Sequence, residues 1–194
     1  MTTPNPTPGR ARRHDPERRD RIINVTLDVV AELGVVGTTH RAIARAADVP
    51  LGSMTYHFAS MDDLLALAFT RLADRTADTF ERRLAHASTA SEARDEVVQL
   101  IMVDLAQSPG DIVLTYELYT LAARRPALRS VTQAWMARSR TALQRHFDEN
   151  TARYLDALIE GVSVHRALDP EPMDIAHVRE AVDRIIRSES RRVY

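Results

Sequence analysis

Residues 39–65, THRAIARAADVPLGSMTYHFASMDDLL, hold two short helical patterns, a tight break between them and the start of a third helix. Ile43, Ala44 and Ala47 give the first pattern an apolar face with small residues where another helix must come close, and Val49-Pro50-Leu51-Gly52 interrupts it. The second pattern resumes at Ser53 and runs to Phe58, with Met54 and Phe58 four residues apart and directed together at a core. Ser53, Thr55, Tyr56 and His57 can all hydrogen-bond. Polar groups facing outward on a short helix behind a tight turn suit a helix-turn-helix, which lays its second helix in a DNA groove. A helical hairpin buried in a core is the other way to read the pattern.

The order and length of these matches resemble the DNA-binding domain of the TetR family of transcriptional repressors. That pattern runs roughly Thr-x-x-x-Ile-Ala, then Gly-Val-Ser-x-Gly-x-Leu-Tyr-x-His-Phe-x-x-Lys-x-x-Leu-Leu. Thr39, Ile43, Ala44, Val49, Gly52, His57, Phe58, Leu64 and Leu65 meet it, and Ser53 and Met54 do so conservatively. Asp48 stands for the usual Gly, Pro50 for the helix-capping Ser, Thr55 for Tyr, and Met61 for the Lys that holds a phosphate at the start of the fourth helix. The resemblance covers about residues 16–70. It implies an all-α protein: an N-terminal three-helix helix-turn-helix domain and a C-terminal helical domain for ligand binding and dimerisation. It also implies base-reading roles for Arg41, Leu51, Gly52, Ser53, Thr55 and Tyr56, and phosphate contacts for Thr39, His40, Tyr56 and His57. Arg41 suits guanine O6 and N7, although a solvated helix residue is the plainer reading of an exposed Arg.

Composition agrees. Apolar residues at 44%, charged residues at 27%, few aromatics and only 6 Gly among 194 residues suit a helical protein better than a turn-rich sheet. No run of 18 or more apolar residues and no charged-then-apolar leader is present, so the expected location is cytoplasmic, with no membrane partner. The absence of Cys removes disulfides, thiolate metal sites and Cys nucleophiles. Net charge is only −1, yet residues 10–21 carry six Arg against three acids, so the positive end is the end with the motif. Every one of the 26 basic residues is Arg, which fits a GC-rich genome better than selection for DNA contact.

Residues 1–14 are Pro-, Thr- and Arg-rich without apolar periodicity and read as a disordered basic arm, either a solvated tail or, through Arg10, Arg12 and Arg13, a DNA contact. Residues 15–59 form the expected DNA-binding domain. It opens on Asp15-Pro16 and a helix striped by Ile23, Leu27 and Val30 that ends at Gly34. Residues 60–194 form the expected ligand-binding and dimerisation domain, entered through a capping-box-like Ser60-Met61-Asp62-Asp63. Further helices are predicted over 91–107, 111–124, 126–148, 151–168 and 173–188. The last two carry strong apolar stripes, predicting a four-helix interface between two subunits around Leu155, Leu158, Val162, Val178, Val182 and Ile185.

Met102, Leu105, Leu114, Tyr116, Glu117, Tyr119, Leu121, Trp135 and Met136 fall on successive predicted helices and are candidates to line a ligand cavity, although a Met and aromatic stripe at this spacing also describes plain core. Glu117, amid apolar neighbours, calls for a cationic ligand or for an ion pair with Arg124 or Arg125. The seven His show no metal-binding spacing, and neither a Gly-rich phosphate loop nor a nucleophile elbow occurs, so no cofactor, metal or catalytic residue is expected. His165 reads as a core or interface residue. The function that follows is repression at a palindromic double-stranded DNA operator by a homodimer, released by a small, largely apolar effector. Two alternatives stay open: a DNA-binding protein gated by a protein partner, and a helical enzyme that retains the fold.

Overall fold

A computed structural model describes residues 15–104 and 109–190, and among these all regular structure is helical. The elements are α1 (Arg18–Gly37), α2 (His40–Ala46), α3 (Gly52–His57), α4 (Met61–Ala85), α5 (Ala90–Gln99), a π-helical turn (Leu100–Asp104), α6 (Pro109–Arg124), α7 (Pro126–Leu143), α8 (Glu149–Leu168) and α9 (Ile175–Ser190). Residues 1–14, the expected arm, and Leu105 lie outside the described residues.

Side-chain caps set several helix starts. Thr39, Ser60 and Thr89 each accept the backbone N–H three residues on, and Asp148 accepts those of Asn150 and Thr151. Ser60 is reinforced by Asp63, whose carboxylate reaches back to the Ala59 N–H. Pro126 occupies the first turn of α7, where a missing N–H costs nothing. The predicted helix over 91–107 is regular only to Gln99 and then widens into the π-helical turn.

Two apolar clusters organise the chain, and α4 belongs to both. Leu64, Leu65, Phe69 and Leu72 join α1, α2 and α3, whereas Phe80 and Leu84 join α5, α7, α8 and α9. α6 inserts Leu114, Leu118 and Leu121 into the first cluster against α1, so the three-helix head shares its core with a helix some 80 residues away. Polar ties follow the same lines. Arg71 of α4 meets Asp20 and Asn24 of α1, Arg125 meets Asp62, and one guanidinium, Arg138 of α7, serves Asp74, Asp78 and Glu81 along α4.

The stripes of α8 and α9 do not wait for a partner subunit. Leu155, Val162, Val178 and Val182 are fully or almost fully buried inside the chain's own second cluster, because α8 and α9 pack on each other and α5 packs on α9, adding Ala93, Val97 and Val98. Leu158 and Ile185 are only partly buried against the same cluster, so the predicted interface is corrected at Leu155, Val162, Val178 and Val182, which are intramolecular core. What α8 leaves outward is Tyr154, Ala157, Gly161, His165 and Leu168, a set at helical spacing on one face. His165 is exposed, which removes the core half of its core-or-interface reading.

Candidate functional site

The helix-turn-helix is built from the turn outward. α2 ends at Ala47, and Asp48 takes a left-handed conformation with φ 51°. Glycine tolerates this geometry freely, and Asp is among the few other residues that do so at moderate cost. Pro50 supplies no side-chain cap, so α3 starts without one. Met54 and Phe58 are buried as expected and anchor α3 against the head. Arg19 lies over the Phe58 ring at 5.6 Å from its centroid, and Arg21 ties α1 to the turn through its Nε–H to the Ala47 carbonyl.

The surface these elements present is a shallow hollow walled by Thr39, His40, Arg41, Leu51 and Thr55, with Tyr56 beside it on α3. Tyr56 is 83% exposed and Leu51 49%, apolar area that nothing among the described residues covers. Thr55 is exposed and donates to the Gly52 carbonyl, while Thr39 is engaged as the cap of α2. Gly52 is exposed, and a Cβ built there meets nothing within 4 Å, so internal packing does not require glycine at this point. Ser53 and His40 depart from the expected outward array. Ser53 turns inward beside Met54 and is only 9% exposed, so a base-reading role for its hydroxyl is corrected to a position in the α3 packing face. His40 is half-buried with an enclosed Nε2 that has no hydrogen-bond partner among the described residues. His57 is half-buried with its ring edge-on to Tyr56.

The second site is a cavity of about 540 Å³ between α4, α6, α7 and α8. Its size is that of sites holding drug-sized molecules. Tyr116, Tyr119 and Trp135 of the expected set line it; Leu114, Glu117, Met102 and Met136 do not. Leu114 is 4% exposed in the core shared with α1, and Met102 packs on the second cluster. Glu117 points the other way, pairing with neither Arg124 nor Arg125: its Oε1 accepts the Val35 N–H at 3.2 Å. There α1 is bent by Gly34, at φ 66° and ψ 169°, and a Cβ on Gly34 would stand 2.9 Å from the same oxygen.

Sequence reasoning missed the contributions of α4 and α8: Arg75, Thr76 and Thr79 from one, Asp156, Glu160 and Ser163 from the other. Tyr119 and Trp135 stack with centroids 6.0 Å apart, and the Tyr119 hydroxyl donates to Glu160. Burial and that bond hold the Tyr119 phenol well above its ordinary range. Burial, with help from the Glu160 charge, pushes the Asp156 carboxyl up to about 6, against the pull of Arg140 at 3.9 Å. At the rim Arg75 meets Asp111 at 3.5 Å.

Comparison with known proteins meets this architecture at both ends. Residues 22–68 match the family of bacterial regulatory proteins named for tetR, and residues 88–188 match the tetracyclin repressor-like C-terminal domain. The chain belongs to the TetR family of transcriptional regulators. It is 30% identical over 167 residues to the helix-turn-helix regulator BetI of Burkholderia mallei, covering 81% of this chain and 85% of that one. Among solved structures, SCO7518 of Streptomyces coelicolor A3(2) superposes with a TM-score of 0.83 at 51% identity, covering 88% of this chain and 99% of the other. The multidrug binding protein EbrR, in its imidazole complex, superposes at 0.74 with 40% identity, covering 90% of this chain and 93% of the other. EbrR has also been crystallised with ethidium, in a structure that covers 88% of this chain and 99% of that one at 37% identity and a TM-score of 0.73. As a TetR-family member the protein is a DNA-binding regulator of transcription with the family's all-helical architecture. No helix among the described residues is long and apolar enough to cross a membrane.

Proposed function

We propose that this regulator is a repressor that binds a palindromic operator as a homodimer and lets go when a small molecule fills the cavity between α4, α6, α7 and α8. One observation carries the reading. The helices that wall the cavity include α4 and α6, and both also build the core of the DNA-reading head. A ligand seated against them acts on the head without touching it. The ligands crystallised with EbrR support an effector role for a cavity in this fold.

The division of labour follows. Residues 15–59 read DNA and residues 60–194 bind effector and partner, with 1–14 as a basic arm. Arg41, Leu51, Gly52, Thr55 and Tyr56 meet base edges or the nearby backbone, and Thr39, His40 and His57 meet phosphates. The exposed face of α8, from Tyr154 at 49% to Leu168 at 69% exposure, supports dimerisation there. Gly161 at its middle, where a Cβ meets nothing, leaves room for a second helix. The cavity's volume of about 540 Å³, that of sites for drug-sized molecules, favours a small effector over gating by a protein.

Selection of binding sites from random duplex DNA tests the reading. The expected result is two half-sites related by a dyad, bound by a dimer in light scattering, with Tyr154→Glu on the exposed face of α8 giving a folded monomer of much reduced affinity. A single asymmetric site bound by a monomer refutes it.

A further inference from the structure

Four charged side chains line the cavity: Arg75, Asp111, Asp156 and Glu160. The first two pair with each other at the rim. That leaves two carboxylates, four residues apart on α8 and therefore on one helix face, both turned into the same space. Asp156 has a side chain only 15% exposed and one cation, Arg140, at the limit of an ion pair. Glu160 is held by a phenol hydroxyl, a neutral donor. Beside them Tyr119, whose hydroxyl reaches Glu160, and Trp135 stand nearly parallel, their planes 12° apart. The rest of the lining mixes aliphatic side chains such as Leu72, Leu100 and Ile159 with small hydroxyls, among them Thr76, Thr79 and Ser163.

Each part of this lining selects. A buried carboxylate without a full counter-charge rejects anions and gains from any cation that replaces lost water. Aromatic faces also attract positive charge, Trp most strongly. A space of about 540 Å³ with apolar walls is far too large for a bare metal ion and suits a ring system. We propose that the effector is a planar aromatic organic cation, its rings against Tyr119 and Trp135 and its charge between the carboxylates of Asp156 and Glu160. The proposal rests on the effector-gated reading above and specifies the effector's chemistry.

Asp156 is faced by Glu160 on its own helix, Arg140 from α7, and Tyr116 and Tyr119 from α6. Burial and the Glu160 charge push the Asp156 carboxyl up to about 6, so it changes charge between pH 5 and 8. Cation affinity therefore rises with pH across that interval, and binding expels a proton where the carboxyl is still protonated.

The chain has a single Trp, so quenching of Trp135 fluorescence reports occupancy of this cavity directly. The test titrates the full chain at pH 8 with 10-methylacridinium, a permanent cation, and with neutral acridine, using calorimetry for affinity. The cation is expected to bind at least tenfold more tightly, the factor that one well-placed charge interaction of about 1.4 kcal/mol confers. In D156N/E160Q the preference shrinks to within about twofold while acridine affinity holds. On the unmodified protein, affinity for the cation falls about tenfold from pH 8 to pH 5, where a carboxyl titrating near 6 is about one-tenth ionised. Equal binding of the two probes, a preference that survives both substitutions, or no binding of the cation at millimolar concentration overturns the proposal. If the cation binds with the stated preference and pH dependence yet leaves operator affinity unchanged, the site stands and the gating reading fails.

Discussion

Removing the charge of Asp156 should make the ligand-free protein more stable, and only above a defined pH. The carboxyl is shifted from 3.8 to about 6, with burial as the larger cause and Glu160 the next. A shift of one unit corresponds to about 1.4 kcal/mol, so keeping Asp156 ionised costs the folded chain about 3 kcal/mol, net of the attraction of Arg140. Because the folded pKa is raised, the folded state holds the proton more tightly than the unfolded chain does. The associated stability is complete below pH 3.8 and is lost as pH climbs through 6. Asp156→Asn keeps the shape and the neutral state. Its advantage over the wild type should therefore be near zero at pH 4 and reach about 2–3 kcal/mol at pH 8, a rise in Tm of roughly 4–12 °C for a chain of this size. Urea melts of both proteins at a series of pH values, at one fixed protein concentration, provide the measurement. An advantage that does not change with pH, or a variant less stable at pH 8, would refute the account of Asp156 as an uncompensated buried acid.

Gly34→Ala should destabilise the protein by at least about 1–3 kcal/mol, since that backbone geometry is all but reserved for glycine and the new methyl meets the Glu117 carboxylate, as a thermal melt would show. Gly52→Ala should leave the melt unchanged or raise it by up to about 1 kcal/mol while weakening operator binding, because only an approaching DNA backbone needs the missing Cβ; unchanged affinity removes that role. Asp48→Gly should gain about 1 kcal/mol by relieving a left-handed Asp, measurable in urea. Tyr56→Phe should weaken binding to all DNA sequences alike by roughly 0.5–1.5 kcal/mol, and Arg41→Ala should cost roughly 1–3 kcal/mol on the operator and much less on sites already altered at the contacted base pair. Titrations against single-base-pair mutants at fixed salt separate the two, and a uniform loss for Arg41→Ala marks it as a phosphate contact.

Local rules carried far along this chain. The cap at Ser60, the break at Val49–Gly52 and Pro126 at the start of α7 are short-range features, legible because they involve neighbours in sequence, whereas Gly34, read as the end of α1, instead bends a helix that runs on to Gly37. What failed was partner choice. The α8 and α9 stripes demand burial, but nothing in them says whether α5 or a second subunit provides it. Glu117 was singled out correctly as an odd carboxylate, yet its partner is a backbone N–H 82 positions away. Asp156 and Glu160 escaped notice because two acids four apart on a helix are ordinary on a solvated face. Only the packing of α8 against α6 and α7 turns that face inward. Ser53 shows the same limit on a smaller scale, since one step around α3 separates a hydroxyl that meets solvent from one that meets the core.

Tyr116 and Glu117 are adjacent, yet one borders the cavity and the other grips the bend in α1. Successive residues of an α-helix are offset by about 100° around its axis, so the two tasks lie roughly a quarter turn apart on one stiff rod. α6 thus works as a key with two bits cut on different sides. Any rotation of α6 about its axis moves both side chains together, so the cavity wall and the grip on the α1 bend are mechanically linked. With glycine at the bend, α1 offers no side chain there to take up the slack.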